Sequence, residues 1–433
     1  MTRLPYRRLG AAMFIAALTL ALAACGGQEY PNSTFIHNSE INTDIIALWD
    51  RILFVGTLVF IFVEGLLIYT IFRFRAKPNA PLPKPVHGNH TLEIVWTLLP
   101  VLILIPIAVP TVKTIFKTQA PAAADALQVE VYGHQWWWEF RYPQYGVTTA
   151  NELYLPAGKT VAFTLRTVDV LHSFWTPALA GKRDLISNKT NYMWYTPDAK
   201  LAEDAFNGFC TEYCGSSHAN MRFRVYTTTP ENFESWAAHQ KLAAAGSPAA
   251  LAATASADSA AKKAPARAAI IPTPAPVPVS NVGYIFPESK LKSHNVPHTP
   301  IPASLTFDDA LLTSADVAAG HALVTNIANL GKAPCLTCHI IKGEGAMLNL
   351  SDNGAKGPNL THVGTRHTFA GGLFPTNAAN MARWIKNAQV MKPGATMNTF
   401  GIGEYSALIK AKVTAGLTDK EIADIVAYLM SLK

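Results

Sequence analysis

Five cysteines fall into three settings, and each setting has its own chemistry. Cys335-Leu-Thr-Cys338-His339 is the C-x-x-C-H signal for covalent haem attachment. Its two thiols become thioethers to the haem vinyl groups, and His339 becomes the proximal iron ligand. A stray C-x-x-C redox pair is the bland alternative, and the surrounding segments argue against it. Upstream stands Cys210-Thr-Glu-Tyr-Cys214-Gly-Ser-Ser-His218-Ala-Asn-Met221. Soft sulfur ligands with imidazole select copper and disfavour hard cations. Zinc could use two cysteines and a histidine, but a methionine thioether serves it poorly. His172, in Asp169-Val-Leu-His172-Ser-Phe-Trp, would alone be a structural histidine; paired with the cysteine loop it completes a copper set. The remaining thiol, Cys25, closes the apolar run ending Leu22-Ala23-Ala24-Cys25-Gly26, which resembles a bacterial lipobox.

These sites need an exported, anchored scaffold. Residues 1–24 read as a signal peptide, with Arg3, Arg7 and Arg8 ahead of an apolar stretch. Two later apolar runs, 48–72 and 92–116, reach the about 20 residues that a bilayer span requires. Arg73, Arg75, Lys77 and Lys84 lie between them, so the loop is expected on the cytoplasmic side and everything beyond about residue 117 outside. Glu64 and Glu93 fall within or beside the spans, where a carboxylate is costly unless it has a partner or a water path. For Glu64 a helix-packing hydrogen bond competes with a proton-relay role. The chain is 49% hydrophobic and only 15% charged despite a net charge of +7, which fits a membrane protein and no nucleic-acid partner. From 127 to 230, short β-like runs alternate with Gly, Pro and Asn turns, the pattern of an all-β barrel or sandwich.

The pieces resemble cytochrome c oxidase subunit II over roughly residues 40–235. In order these are the two-helix hairpin, Glu93-Ile-Val-Trp96-Thr-Leu-Leu-Pro100, Gly133-His134-Gln135-Trp136, the His172 segment and the cysteine loop. The resemblance implies a cupredoxin-like Greek-key barrel with a dinuclear copper centre bridged by Cys210 and Cys214. His172 and Met221 would complete one copper, and His218 with the backbone carbonyl of Glu212 the other. It also implies electron input at Trp136, proton uptake at Glu93, and a magnesium ion at the subunit I boundary through the Glu212 side chain. At least one of Trp136, Trp137 and Trp138 must point into the β core. The segment Asp184-Leu-Ile-Ser187 departs from the Pro-Gly turn of many relatives, without touching a copper ligand.

Residues 241–305 are Ala/Pro-rich and read as a linker that buries no core. A flexible chain of ~60 residues spans about 40–45 Å. Beyond it, about 312–433 resembles a class I cytochrome c. Gly357-Pro358-Asn359-Leu360 matches the segment that packs on the proximal histidine, and Met391-Lys392-Pro393-Gly394-Ala395-Thr396-Met397 the distal loop. That match implies Met397 as sixth iron ligand, with Met391 the alternative. Thr418-Asp-Lys-Glu421 opens the last helix as a capping box. The copper region is slightly acidic and the haem region slightly basic, so a weak, salt-screened attraction between tethered domains is expected.

The expected organisation is therefore a signal peptide (1–24), an exported N-terminal segment (25–44), a transmembrane helical hairpin (45–118), a cupredoxin-like dinuclear copper domain (119–240), a linker (241–305) and an all-α cytochrome c domain (306–433). The expected function is electron transfer from its own haem c through copper to the haem-copper subunit I, which reduces oxygen and pumps protons. Expected partners are subunit I, other oxidase subunits, membrane lipid, and an upstream quinol-cytochrome c reductase or cytochrome c. The expected location is a bacterial inner membrane, multi-pass, with both redox domains on the periplasmic face. A copper-containing nitric oxide reductase would use the same logic. A stand-alone carrier or copper-delivery protein would need an anchor but no two-helix hairpin.

Overall fold

The computed structural model describes residues 30–75, 87–243, 283–326, 331–344 and 356–433, with residues 15, 16, 19, 85 and 329. Arg3, Arg7, Arg8, Cys25, Lys77, Lys84 and the linker stretch 244–282 lie outside the described residues.

Two helices are long and apolar enough to cross a bilayer, α1 (Glu40–Arg73) and α2 (His90–Gln119). Their flanks stay apolar and exposed almost all round, as on a helix that meets no water. Asp44 of α1 pairs with Lys117 of α2 at one end of the hairpin. Glu64 is half-buried in mid-helix. The apolar run predicts a span from residue 48, but α1 starts earlier because Ser39 caps it, accepting from the Asn42 N–H at 3.1 Å. This polar first turn docks on the next domain: Asn42 donates to the Pro177 carbonyl at 3.2 Å, and the Glu40 carboxylate accepts from the Thr196 N–H at 2.9 Å.

The β domain has two five-stranded sheets. One has the order β3 (Val147–Ala150), β2 (Trp137–Tyr142), β1 (Leu127–His134), β5 (Val161–Thr167), β8 (Asn191–Tyr195). The other runs β4 (Glu152–Pro156), β10 (Arg222–Thr228), β9 (Asp204–Cys210), β6 (His172–Trp175), β7 (Arg183–Leu185). Each sheet holds one parallel pair, β1 with β5 and β4 with β10, among antiparallel neighbours. Those pairs require crossovers between the sheets, as in a cupredoxin-like Greek key. Alternation sends Trp138, Phe140, Phe163, Phe174 and Phe223 inward, where Phe174 stacks on Phe223 at 4.9 Å. Helix α3 (Pro230–Gln240) closes the domain, its Trp236 stacked on Tyr154 at 4.6 Å.

The described end of the expected linker corrects the reading that this stretch buries nothing. Phe286 is 1% exposed and stacks on Tyr226 at 4.7 Å, and Asn295 takes the Arg224 guanidinium on its carbonyl at 2.8 Å. Leu305 is buried as well, and Tyr284 and Leu291 pack against the β core, too scattered to register in a composition dominated by Ala and Pro.

The C-terminal domain packs α4 (Val317–Thr325), α5 (Ala378–Lys386), the short α6 (Ala388–Met391) and α7 (Asp419–Ser431). The capping box of Thr418 and Glu421 is formed, and Ile422, Ile425, Val426 and Leu429 are buried. Two ladders of two-residue strands, Thr368–Phe369 with Phe374–Pro375 and Tyr405–Ser406 with Ala411–Lys412, add to the expected helices.

Candidate functional site

The sheet register gathers the sulfur and imidazole groups. His172 opens β6 and Cys210 ends β9, and these strands pair so that Phe174 faces Cys210. The loop from Cys210 returns into β10, whose first residues pair with β9, and the Cys210 N–H donates to the Met221 carbonyl at 3.1 Å. Two strand ends and one loop thus converge. Cys210 Sγ lies 3.8 Å from His172 Nδ1, 3.8 Å from Cys214 Sγ and 3.3 Å from the Glu212 carbonyl oxygen. Cys214 Sγ lies 3.5 Å from His218 Nδ1 and 3.8 Å from Met221 Sδ. Four further donors surround the two sulfurs, making six in all, and His172, Cys210, Cys214 and Met221 are buried. The hydrogen bond between the thiols pulls Cys210 well below the ordinary thiol range and pushes Cys214 above it. The soft donors suit copper.

Asp169 was not singled out by sequence reasoning. Its carboxylate meets His172 Nε2 at 2.8 Å, leaving Nδ1 toward the sulfurs, and accepts from the Gln135 N–H at 2.7 Å. A carboxylate behind a ligating imidazole fixes its tautomer and orientation. The signal was an Asp one turn of chain before the histidine.

In the C-terminal domain, Cys335, Cys338 and His339 line a cavity of about 290 Å³, far more than the about 30 Å³ share of one water. The His339 N–H donates to the Cys335 carbonyl at 2.9 Å, winding the three side chains round one turn. His339 Nδ1 donates to the Pro358 carbonyl at 2.7 Å, which leaves Nε2 as the metal-facing nitrogen. Burial holds its imidazole below the ordinary range, in the neutral form that ligates. Gly357 packs so closely that a Cβ there would fall 2.6 Å from His339 Cε1. Met397 lines the same cavity, with its carbonyl held by the Gln389 amide at 3.1 Å. Met391 instead sits in a separate apolar cluster with Leu305, Phe369, Leu373 and Phe374. Two thiols, a neutral imidazole and a thioether around an apolar space fit a haem.

The cavity is completed by the β domain. Gln135, Trp136 and Trp137 line it, and on the other side the Trp136 Nε1–H donates to the Cys214 carbonyl at 3.0 Å. Trp138 is the core residue of the three, and Trp137 stacks on His134 at 4.0 Å. The domains meet through buried polar contacts rather than a screened surface attraction. The Glu152 carboxylate accepts from the N–H groups of His367 and Thr368 at 2.9 and 2.8 Å. Lys392 donates to the Trp136 carbonyl at 2.6 Å, and burial pushes its ammonium down to about 7. Charge counting missed this seam because its partners are main-chain groups.

Glu93 stands in the first turn of α2, where it accepts from the Asn89 N–H at 3.3 Å and lies 3.5 Å from His90 Nδ1. The other end of α2 meets the β domain, where Trp194 donates to the Ala120 carbonyl at 2.8 Å. Glu93 is thus roughly 40 Å of helix rise from that domain.

Family models match three consecutive parts of the chain. The transmembrane domain of cytochrome c oxidase subunit II matches residues 33–114, its periplasmic domain 146–228, and cytochrome c 317–433. A probable cytochrome c oxidase subunit 2 of Rickettsia bellii is 31% identical, covering 48% of this chain and 83% of that protein. The chain belongs to the cytochrome c oxidase subunit II family. A cytochrome c oxidase subunit 2 of Alkalihalophilus pseudofirmus is 27% identical over 97% of this chain and 96% of its own length. The periplasmic domain of subunit II (CoxB) of Bradyrhizobium japonicum is 28% identical, with a TM-score of 0.26 over 28% of this chain and 96% of that one. As a subunit II with a cytochrome c domain, the protein is a membrane-bound electron-transfer subunit of a haem-copper terminal oxidase. The subunit II domain implies copper and the cytochrome c domain haem, and the periplasmic domain fits the outer face of the membrane.

Proposed function

We propose that this subunit II receives electrons on its own covalently attached haem c and passes them by way of Trp136 to a dinuclear copper centre serving subunit I. Cys335 and Cys338 would form the thioethers, and His339 and Met397 would hold the iron. Cys210 and Cys214 would bridge the coppers, with His172, Met221, His218 and the Glu212 carbonyl completing them. Bound there, the two groups supply one-electron storage at a potential that His/Met and thiolate ligation set. The chain's own work is rigidity and insulation. Strands β6, β9 and β10 fix the donors, Asp169 orients His172, and the apolar β core lies behind Cys210, Cys214 and Met221. The observation that carries the reading is the position of Trp136, which lines the haem cavity on one side and bonds the Cys214 carbonyl on the other.

Fusion makes electron delivery intramolecular, at high effective concentration. The further parts of the reading are two membrane passes with both redox domains outside, Cys25 as a lipid anchor, and magnesium bound through the exposed Glu212 side chain where subunit I docks. A reductase or a cytochrome c would be the upstream donor. The test is turnover of the isolated native complex. Reduced haem should discharge through this subunit with oxygen consumption, and preferential nitric oxide turnover would defeat the oxygen reading.

Glu93 supplies a second test. We assign it proton uptake for subunit I, because it opens the second span beside the basic loop and can load from bulk water. Its bond to the Asn89 N–H supports a capping role equally, and Gln would preserve that bond. Glu93→Gln should therefore slow oxygen consumption by about a hundredfold while both metal spectra stay normal, the low end of the 10²–10⁴ range that a positioned proton-transfer group contributes. Wild-type rates from an assembled variant across neutral pH would leave Glu93 a cap.

A further inference from the structure

Lys392 is 4% exposed and lies outside every ligand set, yet it crosses from the haem domain into the copper domain. Its Nζ donates to the Trp136 carbonyl at 2.6 Å and to the Ala370 carbonyl at 3.1 Å. Two residues on, Gly394 packs against the Trp136 ring, where a Cβ would come within 3.1 Å of Cζ3. Gly371 closes the same space: its φ is +79°, and a Cβ would lie 2.8 Å from Lys392 Nζ and 3.2 Å from the Trp136 carbonyl oxygen. The Arg222 N–H donates to the Gly371 carbonyl at 3.0 Å. Trp136 is thus held at both ends by different domains, its carbonyl by Lys392 and its indole N–H by Cys214.

We propose that Lys392 is a positioning residue that clasps the Trp136 carbonyl and thereby holds the indole between the haem cavity and the Cys214 loop. This rests on the reading of Trp136 given above. The clasp joins the Lys392 amine to main-chain carbonyls in a buried seam, so bulk salt screens it little. The fused haem domain is then a fixed donor, and its docking does not depend on surface charge.

The test uses the full-length, metal-loaded subunit in detergent, with two readouts. One is hydrogen exchange at residues 134–138 and 368–372; the other is the rate of haem-to-copper electron transfer after flash reduction of the haem. Lys392→Met should raise exchange in both segments by about tenfold as the seam opens locally. It should slow transfer by about tenfold as the indole leaves its place between the haem cavity and the Cys214 loop, with both metal absorption spectra unchanged. Gly371→Ala attacks the same clasp from the other side and should act in the same direction; it decides the matter if Lys392→Met loses its haem spectrum. Trp136→Phe keeps the carbonyl and its Lys392 bond, so exchange at 368–372 should stay at the wild-type level while transfer slows. Wild-type exchange and transfer in both clasp variants would overturn the proposal. Wild-type protein that passes no electron from haem to copper would sink the functional reading, and hydrogen exchange would still report on the clasp.

Discussion

Cys210→Ser should erase the shared-electron signal of the copper centre and leave the haem spectrum untouched. Cys210 Sγ sits against three other donors, His172, Cys214 and the Glu212 carbonyl, so in the proposed centre its loss would remove one of two bridging sulfurs. A serine oxygen is a hard, short replacement and cannot bridge two soft ions. Electron paramagnetic resonance of the oxidised wild type should show one electron spread over two coppers, and metal analysis should find two coppers per chain. The variant should lose the spread signal entirely. The haem ligands belong to another domain and should keep their spectrum. A four-line mononuclear pattern in the wild type, or zinc in its place, would refute the dinuclear assignment.

The second large effect separates two methionines. Met397→Ala should abolish the near-infrared sulfur-to-iron band and lower the haem potential by roughly a few tenths of a volt, within the ~0.8 V that axial ligands command. Met391→Ala should leave the band in place and instead weaken the fold by about 2–5 kcal/mol, the cost of emptying a buried site. The difference follows from position: Met397 lines the cavity with His339, and Met391 is packed with Leu305, Phe369, Leu373 and Phe374. Redox titration and thermal denaturation of the two variants check both halves. The reverse outcome would make Met391 the ligand.

Much of this architecture was legible because its signals are local. Cys335-x-x-Cys338-His339 lies on one turn of chain, and Cys210 to Met221 on one loop, so spacing alone displays the donors. The spans read from apolar length, and the last helix from its Thr418–Glu421 box. Apart from Asp169 behind His172, what escaped was long-range and addressed to the main chain. Glu152 meets the amides of His367 and Thr368, and Lys392 the carbonyl of Trp136, and no residue pattern marks a main-chain partner. Composition also misled at Phe286, Asn295 and Leu305, which are buried in a segment otherwise read as linker. At the start of α1, hydropathy found where the apolar run begins, while the cap at Ser39 set where the helix begins.

That early start gives the membrane hairpin a mechanical role. The first turn of α1 is bonded to the Pro177 and Thr196 main chain, and the same helix runs unbroken to Arg73. The copper domain therefore has no swivel at the bilayer surface: it stands on a stiff post whose azimuth and height are counted in residues. Each residue inserted below Asn42 would turn the domain by about 100° and lift it by about 1.5 Å relative to the span. The aim of the copper loop toward subunit I is then a matter of helical phase, and side-chain substitutions that preserve length leave that phase alone.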